Sequence, residues 1–307
     1  MRRSRIAIAA GVAVCTAALT AAAGSQQHEL EELLAQNPRA GGIHWAKGRA
    51  PARARRGSPD LTYHGGPVMT QGAYVEPIFW GVGWADPGFV GDKKTGIQTF
   101  YGTIGSSSYE ATNSEYTQAG GQHVGSVVSL GPVHVDLSTA PRSGGNTSTI
   151  LAEACSAATN LMTDGYYPVY VDSPRGHAGY CAWHSAGTCP NGVTVQFAFF
   201  FNLDGDPGCD PQDASGVHSQ GLAALGNVSG HELSEALTDP HLNAWYDGSG
   251  AENSDKCAWT FGTPLLTFAG GSQWKIQGNW SNHAYDTNTG YPNSSGQMGC
   301  VDGGNYR

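Results

Sequence analysis

A chain of 307 residues with 39% hydrophobic, 10% aromatic and only 13% charged residues has ample apolar material for a large core, and its 44 glycines are about twice the usual ~7% share. This balance excludes a disordered polyelectrolyte and describes a loop-rich globular protein. From Leu61 onward seven lysines and arginines stand against 21 aspartates and glutamates, a surface that repels a phosphate backbone, so nucleic acid is excluded as a partner.

Residues 1–23 read as a secretory signal peptide: Arg2, Arg3 and Arg5 open it, Ile6 to Leu19 is apolar, and Ala21-Ala22-Ala23 precede Gly24. The apolar run is too short to span a bilayer, and no later run is a transmembrane candidate. Residues 24–60 read as a linker or short pro-segment, with a charged helix-like piece at His28 to Gln36 and a basic stretch whose Arg55-Arg56 pair suits processing. Residues 61–307 are expected to form a single domain, secreted, extracellular and monomeric.

Within that domain, runs rich in Val, Ile, Phe and Tyr predict strands at 73–80, 126–137, 167–172, 194–203 and 273–280. Helical windows fall at 94–104, 147–163 and 215–238. The third places Leu222, Leu225, Ser229, Leu233 and Leu237 on one side and stops at Asp239-Pro240, because proline cannot continue the hydrogen-bond ladder. The alternation predicts an α/β or α+β domain with a mixed sheet and one long helix.

Once Cys15 leaves with the leader, six cysteines remain, Cys155, Cys181, Cys189, Cys209, Cys257 and Cys300, and an even number in an exported chain predicts three disulfides. Sequence proximity suggests Cys181 with Cys189 and Cys257 with Cys300, leaving Cys155 with Cys209. No pair has the C-x-x-C spacing of a metal site.

The long helix carries Gly230-His231-Glu232-Leu233-Ser234-Glu235. Residues four apart share a helix face, so His231 and Glu235 can reach one ion, with Glu232 beside it as general base, the zincin-like arrangement of H-E-x-x-H with a carboxylate as second ligand. A zinc ion there would acidify a water toward a pKa of ~7, and Glu232 would take its proton as it attacks a carbonyl. The third ligand is expected from Glu252 or Asp255, with Glu252 slightly preferred; Asp239 lies about 12 Å along the axis from His231, and His241 and His283 are more distant options. The same H-E-x-x-E template occurs at His28 to Glu32, so the motif alone is not decisive.

The stretches Tyr63-His64-Gly65-Gly66-Pro67, Phe79-Trp80-Gly81, Gly179-Tyr180-Cys181, Gly230 to Glu235, Asn243-Ala244-Trp245-Tyr246 and Glu252 to Cys257 resemble the EXORDIUM-like, phosphate-induced secreted proteins. The resemblance extends through most of residues 61–300 and is most specific from His231 to Cys257. It implies secretion and a shared fold; plant members are extracellular and associated with the cell wall. The chain departs from them at Asp239, where they tend to carry an amide, and in its longer Cys181 to Cys189 spacing.

Asp204 to Asp213 has the acidic density of a calcium loop, so calcium is a second candidate cofactor, although Gly208 at its fifth position and the lack of a closing glutamate favour an ordinary turn. Trp274, Trp280 and Tyr291 are read as packing residues before sugar-stacking ones. Two functions follow: a metal-dependent hydrolase, most simply a zinc-dependent metallopeptidase acting on an extracellular protein or peptide, or a non-catalytic protein bound to a cell-wall polymer or matrix.

Overall fold

The computed structural model describes residues 42–50 and 59–306. The leader, the His28–Glu32 template and the Arg55-Arg56 pair lie outside these residues.

Eight strands build one mixed sheet: β1 (Ile43–Trp45), β2 (Ala73–Val75), β3 (Ile78–Trp80), β4 (Val128–Leu130), β5 (His134–Asp136), β6 (Gly165–Pro174), β7 (Tyr180–Thr188) and β8 (Thr194–Asn202). Their order is β1-β7-β8-β6-β2-β4, with β3 pairing β6 and β5. The β1-β7-β8 side is antiparallel, whereas β6 is parallel to β8, β2 and β3. Strand β6 is buried from Gly165 to Val171, so its near-continuous apolar run reflects cover on both faces.

Three long helices surround this sheet. Helix α1 (Lys93–Ile104) packs on α3 (Gln220–Thr238), and α3 in turn lies across β7, β8 and β1. Helix α2 (Thr147–Ala157) covers the other face, where Gly187 of β7 closes on Leu151. Because side chains alternate along a strand, Trp183 and Gly187 face α2 while His184 faces α3.

Departures from the sequence reading have local causes. The 73–80 run breaks at Glu76-Pro77 and the 126–137 run at Gly131-Pro132, since proline has no N–H for the ladder. Helix α2 stops at Ala157, six residues before the expected Thr163, as the buried Glu76 carboxylate takes the Thr159 and Asn160 N–H groups at 2.8 and 3.1 Å. Helix α3 begins at Gln220, where Ser219 caps it by accepting from the Leu222 N–H at 3.2 Å. The 273–280 run is two short strands, Gln273–Trp274 and Asn279–Trp280, in separate pairs.

Two strands of the eight-stranded sheet lie outside the predicted runs. Strand β7 is poor in β-branched residues, and β1 is a three-residue strand inside the stretch read as linker; it pairs antiparallel with β7, opposing Ile43 to Trp183 and His44 to Ala182. The linker reading therefore fails for residues 42–46, which are buried in the domain.

Strand β7 also corrects the cysteine pairing. Cys181 and Cys189 sit at opposite ends of one extended segment, roughly 26 Å apart at 3.3 Å per residue, far beyond the ~7 Å Cα limit for a disulfide. The bonds are Cys155–Cys189, Cys181–Cys209 and Cys257–Cys300, with Cα separations of 5.5, 5.8 and 5.7 Å. Of the expected pairs, Cys257–Cys300 forms; Cys181–Cys189 and Cys155–Cys209 do not. Among the described residues no helix is long and apolar enough to cross a membrane.

Candidate metal centre

Helix α3 is buried from Gly221 to Thr238, so every polar side chain it carries must find a partner inside the protein. Ser229 meets the Tyr170 hydroxyl at 2.8 Å, Asn227 accepts from the Gln277 N–H at 2.9 Å, and Ser234 accepts from Asn279 at 3.0 Å. Gly226 and Gly230, one turn apart, let the 274–277 segment lie directly on the helix: a Cβ would come within 2.7 Å of the Trp274 ring at Gly226 and within 2.8 Å of Ile276 at Gly230. That approach carries the Gln277 amide to His231, with Nε2 at 2.9 Å from Nδ1.

His231 and Glu235 share a helix face as their spacing requires, with Nε2 to Oε1 at 3.0 Å. The loop after α3 returns Asp255 to the same place, its Oδ1 3.9 Å from His231 Nε2, and its N–H donates to Glu235 Oε1 at 2.9 Å. The Cys257–Cys300 bond anchors this loop two residues downstream. From the sheet, His184 brings Nε2 to 3.4 Å from Glu252 Oε1 and 3.8 Å from Glu235 Oε2. The Gly42 N–H donates to the other Glu252 oxygen. His44 of β1 lies flat on His231.

Of the sequence candidates, His231, Glu232, Glu235, Glu252 and Asp255 thus converge on one cluster. Asp255 groups with His231 and Glu235 at ligating distances, while Glu252, the slightly preferred third ligand, faces His184. Asp239 caps α3 and accepts from the Asn243 and Ala244 N–H groups, both at 2.5 Å; His241 lies by Gln196 and His283 by Tyr306, away from the cluster. The structure adds His184 and His44, which no sequence motif marks.

The acidic turn after β8 is used in local contacts: Asp204 pairs with Lys93 and Asp206 with Arg175, while Asp210 and Asp213 accept from N–H groups two residues on. Trp274 and Trp280 are buried packing residues.

Burial sets the charge states. It pushes the His231 imidazole down to about 4, with Asp255 opposing the shift, and it likewise lowers His44 and His184. These rings are neutral at pH 7, the form that binds metal. Glu232 is held well above the usual carboxylate range by burial, then by the Glu235, Asp255 and Glu252 charges, with the His44 backbone N–H opposing.

The donor set suits a divalent cation. Two ligands at 2.0–2.2 Å in a tetrahedral site stand about 3.4 Å apart, and the four His–carboxylate separations, 3.0 to 3.9 Å, bracket that value. Both ring nitrogens of His44 and of His184 and both oxygens of Glu232, all buried, lack a hydrogen-bond partner of normal geometry, an arrangement costly for a core that serves packing alone. A cleft of about 510 Å³ lined by Trp45, Lys47 and Trp259 has Asp255, alone of the cluster, in its wall.

Fold and site together define a disulfide-stapled, mixed-sheet α/β protein with a buried histidine–carboxylate cluster on its central helix. Comparison of the chain with family models, curated proteins and solved structures finds no match.

Proposed function

We propose that the protein is a secreted metal-dependent hydrolase of zincin-like type, cleaving extracellular protein or peptide substrates. The observation that carries this reading is the convergence of His231, Glu235 and Asp255 at ligand separations, with the buried Glu232 next to His231 on the same helix. His231, Glu235 and Asp255 would hold the ion, zinc by donor type. Such an ion supplies Lewis-acid polarisation of a carbonyl and makes water more acidic. Glu232, whose raised pKa the charge of a bound cation would lower again, moves the proton, taking it from the attacking water and passing it to the leaving amine. Trp45 and Trp259 flank the cleft through which a peptide would reach Asp255.

One observation supports a second reading, a non-catalytic, EXORDIUM-like wall or matrix protein whose cluster is a polar core. The Gln277 amide is fixed: its oxygen accepts from the Trp259 N–H at 3.1 Å and its nitrogen donates to the Ser254 carbonyl at 2.9 Å. Its remaining N–H then points at His231 Nδ1, which puts the proton of a neutral ring on Nε2, the atom that would ligate. Metal binding must displace that proton or turn the amide.

The discriminating experiment is to purify the secreted protein, measure bound zinc, and assay cleavage of a protein substrate with Glu232→Ala as control. Stoichiometric zinc and a loss of at least ~10²-fold in the variant support the hydrolase. Absence of metal, or equal activity in the variant, favours the wall protein.

A further inference from the structure

The metal reading accounts for His231, Glu235 and Asp255 but does not explain why His184 faces Glu252 and Glu235. His184 is fully buried, both its ring nitrogens lack a hydrogen-bond partner, and its Nε2 faces two carboxylates.

We propose that the cluster holds two divalent cations, with Glu235 bridging them through its two oxygens. The inference rests on the metal reading above and extends it. Glu235 Oε1 is 3.0 Å from His231 Nε2, while Oε2 is 3.8 Å from His184 Nε2. Each histidine has a second carboxylate of its own, Asp255 at 3.9 Å from His231 and Glu252 at 3.4 Å from His184. The cluster therefore divides into two like halves, each with one imidazole, one oxygen of the shared Glu235 and one private carboxylate. A carboxylate used in this way spans ions about 3.5–4 Å apart, the spacing of two-metal hydrolytic sites.

The elements hold the two halves in place. His231 and Glu235 sit on one rigid helix, and Asp255 and Glu252 lie on one loop secured by Cys257–Cys300. His184 projects from a sheet strand whose Cys181 is bonded to Cys209. Glu232 lies near both halves, grouping with His184 and Glu235 on one side and with His44 and His231 on the other.

The test is metal stoichiometry, independent of turnover. The full secreted chain, stripped of metal, is dialysed against Zn²⁺ alone and bound zinc is counted. Two ions per chain are expected in the parent, and one in His184→Ala and in Glu252→Gln. Loading with Mn²⁺ gives a second readout on the unaltered protein: a spin-coupled pair produces an exchange-coupled electron paramagnetic resonance signal, which isolated ions do not. One zinc per chain with only an uncoupled manganese signal overturns the second site while leaving the single-ion reading standing. No bound metal overturns both. If His184→Ala does not fold, the manganese spectrum of the parent decides alone.

Discussion

His44 and His231 stack face to face, with ring centroids 3.8 Å apart and planes within 6° of parallel. Proximity alone groups His44 with His231 and Glu232 as ligands. The stack argues otherwise, because imidazole lone pairs lie in the ring plane, and two parallel planes this far apart cannot both aim at one ion ~2.1 Å from each nitrogen. His44 is a lid on the His231 ring, delivered by β1 and backed by Trp259 at 4.7 Å.

His44→Phe should therefore keep both the fold and the zinc stoichiometry, whereas His231→Phe should lose zinc. Zinc counting on the two purified variants checks this. Loss of an ion in His44→Phe would make His44 a ligand.

Gln277 sets the proton on His231, and the sign of its effect can be reversed. Gln277→Glu would give Nδ1 an acceptor, move the ring proton to Nδ1 and free Nε2 to ligate, the carboxylate–histidine–metal arrangement, while the Ser254 carbonyl loses the N–H it now accepts from and must shift. Zinc affinity should rise about tenfold or more, the lower end of what such outer partners contribute. Competition against a chromophoric chelator measures it. An unchanged affinity would mean that the Gln277 amide already turns when metal binds.

What the sequence disclosed divides along the line between local and distant contacts. His231, Glu232 and Glu235 were legible because a four-residue helical step is fixed by the backbone, and Asp239-Pro240 marked where that helix ends. His184 and His44 enter the cluster through strand pairing and through α3 crossing β7, relations that no local spacing encodes. The only signal was weak: Ala182, His184 and Ala186 alternate along one face of β7, and His44 stands between Ile43 and Trp45 in an otherwise polar segment. The same non-locality misled the cysteine pairing, since closeness in sequence within an extended strand is distance in space.

Glu110 supplies a pH signature away from the ligands. Burial raises it from 4.5 to about 8, although Asn113 donates to it at 3.2 Å. Between those values the folded state keeps a proton that the unfolded chain has released, so the contribution to stability falls as pH rises, by on the order of a few kcal/mol across the window. Glu110→Gln removes the titration. Denaturant melts at pH 5 and pH 8 should show the variant gaining on the parent at pH 8. An equal difference at both values would show Glu110 ionised in the folded protein.

The Cys257–Cys300 bond closes a loop of 43 residues that carries no ligand itself but begins next to Asp255. Loop-closure entropy puts its contribution at about 4 kcal/mol. Replacing both cysteines by alanine should lower the melting temperature accordingly and, by loosening the 252–257 loop, weaken zinc binding as well. A variant that melts lower yet binds zinc unchanged would show that the loop is held by its hydrogen bonds.

Two helical glycines provide an internal comparison of propensity against packing. Replacing an interior helical glycine by alanine gains about 1 kcal/mol from backbone entropy alone. At Gly102 of α1 the new methyl would meet only Leu130, at an ordinary 3.7 Å, so Gly102→Ala should stabilise by up to that amount. At Gly226 of α3 it would strike the Trp274 ring at 2.7 Å. That ring cannot retreat, being wedged edge-on against Phe100 at 5.1 Å and stacked on His218 at 4.1 Å. Overpacking of this kind costs about 1–3 kcal/mol, which outweighs the propensity gain and makes Gly226→Ala net destabilising. The displaced 274–277 segment would also draw Gln277 away from His231. Parallel thermal melts of the two variants test the contrast, and equal stabilisation in both would mean that the 274–277 segment does not press on α3.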